Sequence, residues 1–157
     1  MIAGRADEAI MYGVIAERIM LAFQKEFFHP ETASYGSGSQ CSNAIPLELG
    51  IVPLEVKDRV MQHLVDDIHT HGTRLTTGDI GTSYLFNVLV QEGQGELLYR
   101  MLNHDEMPGY GFQLKQGMTT LAEQWNPELG ASQNHFMMAH INNLLVPWLV
   151  GIRVSGR

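Results

Sequence analysis

The densest group of chemically capable side chains lies between Pro108 and His135, in PGYGFQLKQGMTTLAEQWNPELGASQNH. It holds a carboxylate (Glu123), three rings (Tyr110, Phe112 and Trp125), an amine (Lys115), an amide (Asn134) and an imidazole (His135). A sugar site needs these types. The carboxylate moves a proton or activates water, the rings cover apolar sugar faces, and the amide and imidazole hold hydroxyls. An ordinary structural loop could use the same residues. Glu123 would then be a solvated carboxylate, Trp125 a core residue at a hairpin end, and His135 a cap or brace of the last helix.

Other candidates carry less. His63, His69 and His71 sit near the end of an amphipathic helix, where a cation is favourable. His69 and His71 are two residues apart and do not share a helix face, so no metal site is expected there. Cys41 is the single cysteine, which excludes an intramolecular disulfide framework and a Cys-rich zinc site. It reads as a small buried hydrophobe. Gly36–Gln40, GSGSQ, lacks the lysine and spacing of a phosphate loop. Asp66 with Asp67, and Asp105 with Glu106, read as solvated pairs. No metal or cofactor is expected.

These residues need elements to position them. At 157 residues the prior is a single domain, 1–157. With 45% apolar and 17% charged residues the chain is not of disordered composition. Ten Lys+Arg against 17 Asp+Glu argue against a nucleic-acid or membrane-surface partner. No apolar run approaches the ~18 residues of a membrane span. The start, MIAGRADEAIMYG, lacks the apolar core of a signal peptide.

Apolar spacing predicts a nearly all-helical chain. Met11, Ile15, Ile19, Phe23 and Phe27 predict a helix over about Ala3–Phe27, stopped by Pro30. A Gly/Ser-rich loop, Thr32–Ser42, leads to a short helix over about Cys41–Leu49. Val56, Val60, Leu64 and Ile68 mark a helix over about Pro53–His71, and a polar loop follows over Thr73–Gly81. Tyr84, Leu85, Val88 and Leu89 mark the next helix, and Leu97 to Leu102 its partner beyond a tight glycine turn. Asp105–Ser132 reads as irregular. A last helix is predicted over about Gln133–Leu149, kinked or ended by Pro147. Long loops recur before alternate helices, which places a site at the N-terminal ends of those helices.

Four blocks then stand out in order: YGSGSQCSNAIPLELGIVP (Tyr35–Pro53), RLTTGDIGTSYLFNVL (Arg74–Leu89), PGYGFQLKQGMTTLAEQW (Pro108–Trp125) and SQNHFMMAHINNLLVPWLVGI (Ser132–Ile152). Together they resemble the C-terminal part of the catalytic domain of bacterial α-L-rhamnosidases, family 78 of the glycoside hydrolases. The resemblance covers nearly the whole chain. It implies an all-α fold of helical hairpins forming about half of an (α/α)₆ toroid. It also implies hydrolysis of terminal α-L-rhamnosyl linkages by an inverting acid/base mechanism on a rhamnose-containing carbohydrate. The Glu of the family's TT-x-x-E-x-W block matches Glu123, beside Thr119, Thr120 and Trp125, which implies that Glu123 is the general base. The family's N-H pair matches Asn134 and His135, with His135 touching rhamnose hydroxyls. Trp125 and Tyr110 are implied pocket walls, and Gln113 and Lys115 tune or orient the site.

Two departures accompany the match. The residue before the base is often Trp in the family and is Ala122 here. The family's general acid lies on an earlier hairpin, in an acidic motif that no block here matches. About six or seven helices are counted, against twelve in a full toroid. The expectation is therefore a fragment that supplies the base half of the site, inactive by itself. It would pair with the missing half of the ring or self-associate. The compartment stays open, since a periplasmic or extracellular location would need an export signal upstream of Met1. A non-catalytic carbohydrate-binding remnant and a helical-hairpin protein-interaction module are the alternatives.

Overall fold

In the computed structural model, the structure describes residues 4–126, 128, 130 and 132–152. Helix α1 spans Ala6–Phe27, followed by a minimal antiparallel ribbon of β1 (Phe28–His29) and β2 (Ser34–Tyr35). Then come α2 (Gln40–Glu48), α3 (Leu54–Thr70), α4 (Asp79–Gln91), α5 (Gly95–Leu102) and α6 (Tyr110–Lys115). A 3₁₀ turn (Phe136–Met138), α7 (His140–Leu144) and a π turn (Leu145–Val150) complete the described residues. The architecture is all-α, as the resemblance implies.

The core lies among α2 to α5. On α3, Val60, Leu64 and Ile68 recur every four residues and are fully buried. On α4, Leu85, Phe86, Val88 and Leu89 are buried, so this helix is enclosed on much of its surface. It packs on α2, α5 and α7. The α2–α4 approach depends on Gly81, where an added Cβ would lie 2.7 Å from Cys41 Sγ. Cys41 is thus half-buried against a neighbouring helix rather than sealed in the core.

Two amide side chains at the start of α2 hold the loops around it. Asn43 Oδ1 accepts from Tyr35 N–H (2.9 Å), and its Nδ2 donates to the carbonyls of Gly38 (2.9 Å) and Ser39 (3.0 Å). Gln40 Nε2 donates to Arg74 O (3.0 Å) while Gln40 Oε1 accepts from Thr76 N–H (3.0 Å). Both residues are fully buried. Ser39 caps the helix by accepting from Ser42 N–H (3.3 Å).

Helix α1 is different. None of its 22 residues is buried, and Ile10, Met11, Val14, Ile15 and Ile19 are all exposed. It is anchored at its C-terminal end. There Phe23 stacks on Tyr35 at 5.7 Å, and Gln24 bonds both Tyr35 OH (2.7 Å) and Ile51 O (2.6 Å).

Three local expectations change. The ribbon β1–β2 forms where a plain loop was expected, because Phe28 can tilt against the buried Tyr35 ring opposite it. Helix α6 forms inside the stretch read as irregular. Its approach runs so close to His104 O that a Cβ at Gly109 or Gly111 would meet it at 2.8 or 2.6 Å, which only glycine permits. The expected last helix is divided. His135 is extended and leads into a 3₁₀ turn, and Pro147 lies in the π turn. Proline has no N–H for the i−4 carbonyl and crowds it, so a wider turn relieves the clash.

Truncating Phe86 to Ala should destabilise the fold by about 3–5 kcal/mol. The same change at Leu54, 83% exposed, should cost under about 0.5 kcal/mol. Urea denaturation of both variants measures the difference, and equal losses would contradict a core centred on α4.

Candidate functional site

The loop that carries Glu123 is held by backbone pairing. Glu123 N–H donates to Ser132 O (2.9 Å) and His135 N–H to Leu121 O (2.8 Å). The Thr120 hydroxyl bonds Gln133 O. Residues 120–123 and 132–135 therefore lie side by side and close the loop between them. Ser132 N–H also donates to Glu123 Oε2 (3.1 Å), which leaves the rest of an exposed carboxylate open to solvent.

Behind this loop stands Gln113, on α6 and only 2% exposed. Its Nε2 donates to Gln124 O (3.1 Å) and its Oε1 accepts from Ala122 N–H (3.4 Å). One buried amide thus grips the main chain on both sides of Glu123. Ala122 is itself buried, so the position that departs from the family pattern faces protein and not solvent.

Trp125 ties the loop to α4. Its Nε1–H donates to Thr77 O (3.2 Å), and its ring meets Tyr110 edge-on at 5.1 Å and 84°. The Tyr110 hydroxyl donates to Met138 O (2.6 Å). Burial raises the Tyr110 phenol pKa well above its usual 10.0. His140 Nε2 lies 3.0 Å from Asp79 O, as donor in its Nε2–H tautomer.

These contacts frame a cleft of 290 Å³ lined by Gly78, Asp79, Glu123, Gln124, Trp125 and Met138. A larger groove of 430 Å³ between α4 and the final turns is lined by residues such as Asn87, Asn143 and Trp148. It has no carboxylate or imidazole in its lining, so it offers no acid–base group.

Of the residues nominated from sequence, Glu123 and Trp125 line one cleft. Tyr110 and Gln113 stand behind it as supports. His135 lies at the far end of the paired segments, its Nδ1 accepting from Met137 N–H (3.2 Å) and its ring stacked on the exposed Phe136 at 4.9 Å. Asn134 is exposed, its main chain engaged with Ser132 Oγ. Lys115 is exposed and paired with Asp105 (3.2 Å). That hydrogen bond and the ammonium charge lower the Asp105 pKa. Asp79 was not singled out from sequence, although the rule that the site lies at N-terminal ends of alternate helices points to it. Among the described residues, no group of three or more His, Cys, Asp or Glu is placed to hold a metal ion, and no helix is long and apolar enough to cross a membrane.

The sequence model of the bacterial alpha-L-rhamnosidase 6 hairpin glycosidase domain matches residues 1–149. The chain belongs to this family. Its relatives include an alpha-L-rhamnosidase of Formosa agariphila, 26% identical over 160 residues. That match covers 96% of this chain and 17% of the relative. The structure of the Dictyoglumus thermophilum alpha-L-rhamnosidase superposes with a TM-score of 0.92 at 32% identity, over 98% of this chain and 18% of that one. The Streptomyces avermitilis alpha-L-rhamnosidase, solved in complex with L-rhamnose, superposes at 0.87 and 25% identity, over 94% and 15%. The chain thus spans under a fifth of the length of these relatives, and its all-α hairpins are part of a six-hairpin toroid architecture.

Replacing Gln113 with Leu keeps the volume and deletes both grips. Leaving the buried Ala122 N–H without its acceptor should cost about 1–3 kcal/mol. Hydrogen exchange should show the Ala122 amide deprotected while the α3 core amides keep their relative protection. Unchanged exchange at Ala122 would contradict the grip. The raised Tyr110 pKa also has a sign. Stability from keeping that phenol neutral is complete below its unfolded value near 10.0 and is lost as pH rises toward the higher folded value. Tyr110→Phe should therefore flatten the fall in stability above pH 10, measured by denaturation across that range, and an unaltered slope would contradict it.

Proposed function

We propose that this chain supplies the general-base half of an inverting α-L-rhamnosidase site. The observation that carries the reading is Glu123, held on the wall of a cleft beside Trp125. One of its oxygens is oriented by Ser132 N–H, and its main chain is gripped by Gln113. A fixed, solvent-facing carboxylate is what activation of water requires. A second carboxylic acid, on another hairpin of the toroid, protonates the leaving oxygen from the opposite ring face, about 6.5–9.5 Å away. Family membership and the rhamnose-bound relative support L-rhamnose as the sugar.

In this reading Trp125 covers an apolar face of the sugar, with Tyr110 holding the indole edge-on. His135 and Asn134, on the segment paired with the base, contact hydroxyls at the rim. Gln113 orients the base. Lys115, engaged with Asp105 at the surface, tunes the site only from a distance. Residues 1–157 act as one domain portion, and the exposed apolar side of α1 packs against neighbouring hairpins of the ring or a second copy. The chain by itself does not turn over substrate, because the acid lies on another hairpin.

With the remaining hairpins of the toroid supplied, Glu123→Gln should lower kcat on an aryl α-L-rhamnoside by about 10²–10⁴-fold, with the melting temperature unchanged. The first product anomer, followed by NMR, should be β-L-rhamnose. Near-normal turnover in Glu123→Gln would remove Glu123 from the mechanism. Sugar binding without turnover in the completed ring would favour a carbohydrate-binding role.

A further inference from the structure

The cleft has a second carboxylate that the mechanism above does not use. Asp79 lines it together with Glu123, Gln124 and Trp125. The segment bearing Asp79 is fixed from two directions. Trp125 donates to Thr77 O (3.2 Å), and His140 bonds the carbonyl of Asp79 itself (3.0 Å). Thr82 adds a third tie, its hydroxyl donating to Gly78 O (2.7 Å). On residues 77–79 only main-chain carbonyls take part in these bonds. Among the described residues the Asp79 carboxylate has no hydrogen bond or ion pair, although it is partly buried. By contrast, the Glu123 carboxylate is engaged by Ser132 N–H and that of Asp105 by Lys115.

A carboxylate without a protein partner, on a main-chain segment tied at three carbonyls and lining a cleft with an indole wall, is suited to ligand hydroxyls. An ionised carboxylate only accepts hydrogen bonds, and its two oxygens can take two neighbouring O–H donors. A pyranose presents such pairs around its ring. Phosphate or carboxylate ligands are excluded, since Glu123 and Asp79 both line the cleft and would repel an anion.

We propose that Asp79 is a substrate-binding residue that accepts hydrogen bonds from vicinal hydroxyls of the sugar ring, from the α4 side of the cleft that Glu123 also lines. This rests on reading the cleft as the L-rhamnose site. It assigns Asp79 to binding and specificity, and leaves water activation to Glu123.

The test is calorimetric titration of the full chain with L-rhamnose and with its monodeoxy analogues. Asp79→Ala should weaken L-rhamnose binding about 10- to 100-fold, the range for hydrogen bonds to a charged acceptor. Asp79→Asn, which keeps the shape and one acceptor oxygen, should fall between and is read in place of Ala if that variant does not fold. One or two monodeoxy sugars should bind the unsubstituted chain more weakly than L-rhamnose, yet bind the Asp79 variant no more weakly than L-rhamnose does. A purely structural role would not move that hydroxyl dependence. Equal L-rhamnose affinity for the variant and the unsubstituted chain would overturn the role of Asp79 and leave the sugar site standing. No L-rhamnose binding by the unsubstituted chain would overturn both.

Discussion

Three buried carboxamides hold this structure's loops in place. Asn43, Gln40 and Gln113 are each almost completely removed from solvent, and each spends both its donor and its acceptor on main-chain groups of the loop or short ribbon beside it. A loop rich in Gly, Ser and Thr has little apolar surface to bury, so packing alone cannot fix it. A buried amide can, because leaving its polar atoms or the main-chain partners unpaired costs about 1–3 kcal/mol. Each amide therefore gives its loop one favoured position. Gln40 and Asn43 work at the start of α2, and Gln113 works on α6 for the segment that contains Glu123.

The helices give those clamps a stable base. The buried faces of α3 and α4 and the close α2–α4 approach at Gly81 and Cys41 set where the loop ends emerge. Trp125 then links the Glu123 loop to the start of α4 through Thr77, and Tyr110 links it to the 3₁₀ turn through Met138. The cleft forms where these separate chain segments, about 45 residues apart in sequence, are bonded together. Its walls come from the Glu123 loop, the start of α4 and the 3₁₀ turn, and they are held by the buried Gln113 and the half-buried Trp125 and Tyr110.

Much of this was legible from residue types and spacing. The i, i+4 apolar steps located α1 and α3, and the four ordered blocks pointed to the family that the sequence model and the superposed structures establish. Helix α6 was hidden because its six residues carry too few apolar positions to show a period, and because glycines flank and enter it. The division of the last helix was only half visible. Pro147 announced a break, but the pairing of His135 with Leu121, which keeps the upstream residues extended, is a contact between distant segments. Asp79 escaped notice for a similar reason. Its neighbours in sequence are unremarkable in chemistry, and only folding sets it on the same cleft as Glu123. The paired amide bonds of Gln113 likewise could not be read from a glutamine in a loop-rich stretch.

The chain has two tryptophans, which offer a direct test that this cleft is the sugar site. Trp125 lines the cleft with its indole N–H bonded to Thr77 O, and Trp148 lines the separate groove on the far part of α4. In an NMR titration with L-rhamnose, the Trp125 indole N–H resonance should move saturably while that of Trp148 stays fixed. Movement of Trp148 alone, or of neither, would contradict the assignment of the Glu123–Trp125 cleft to rhamnose.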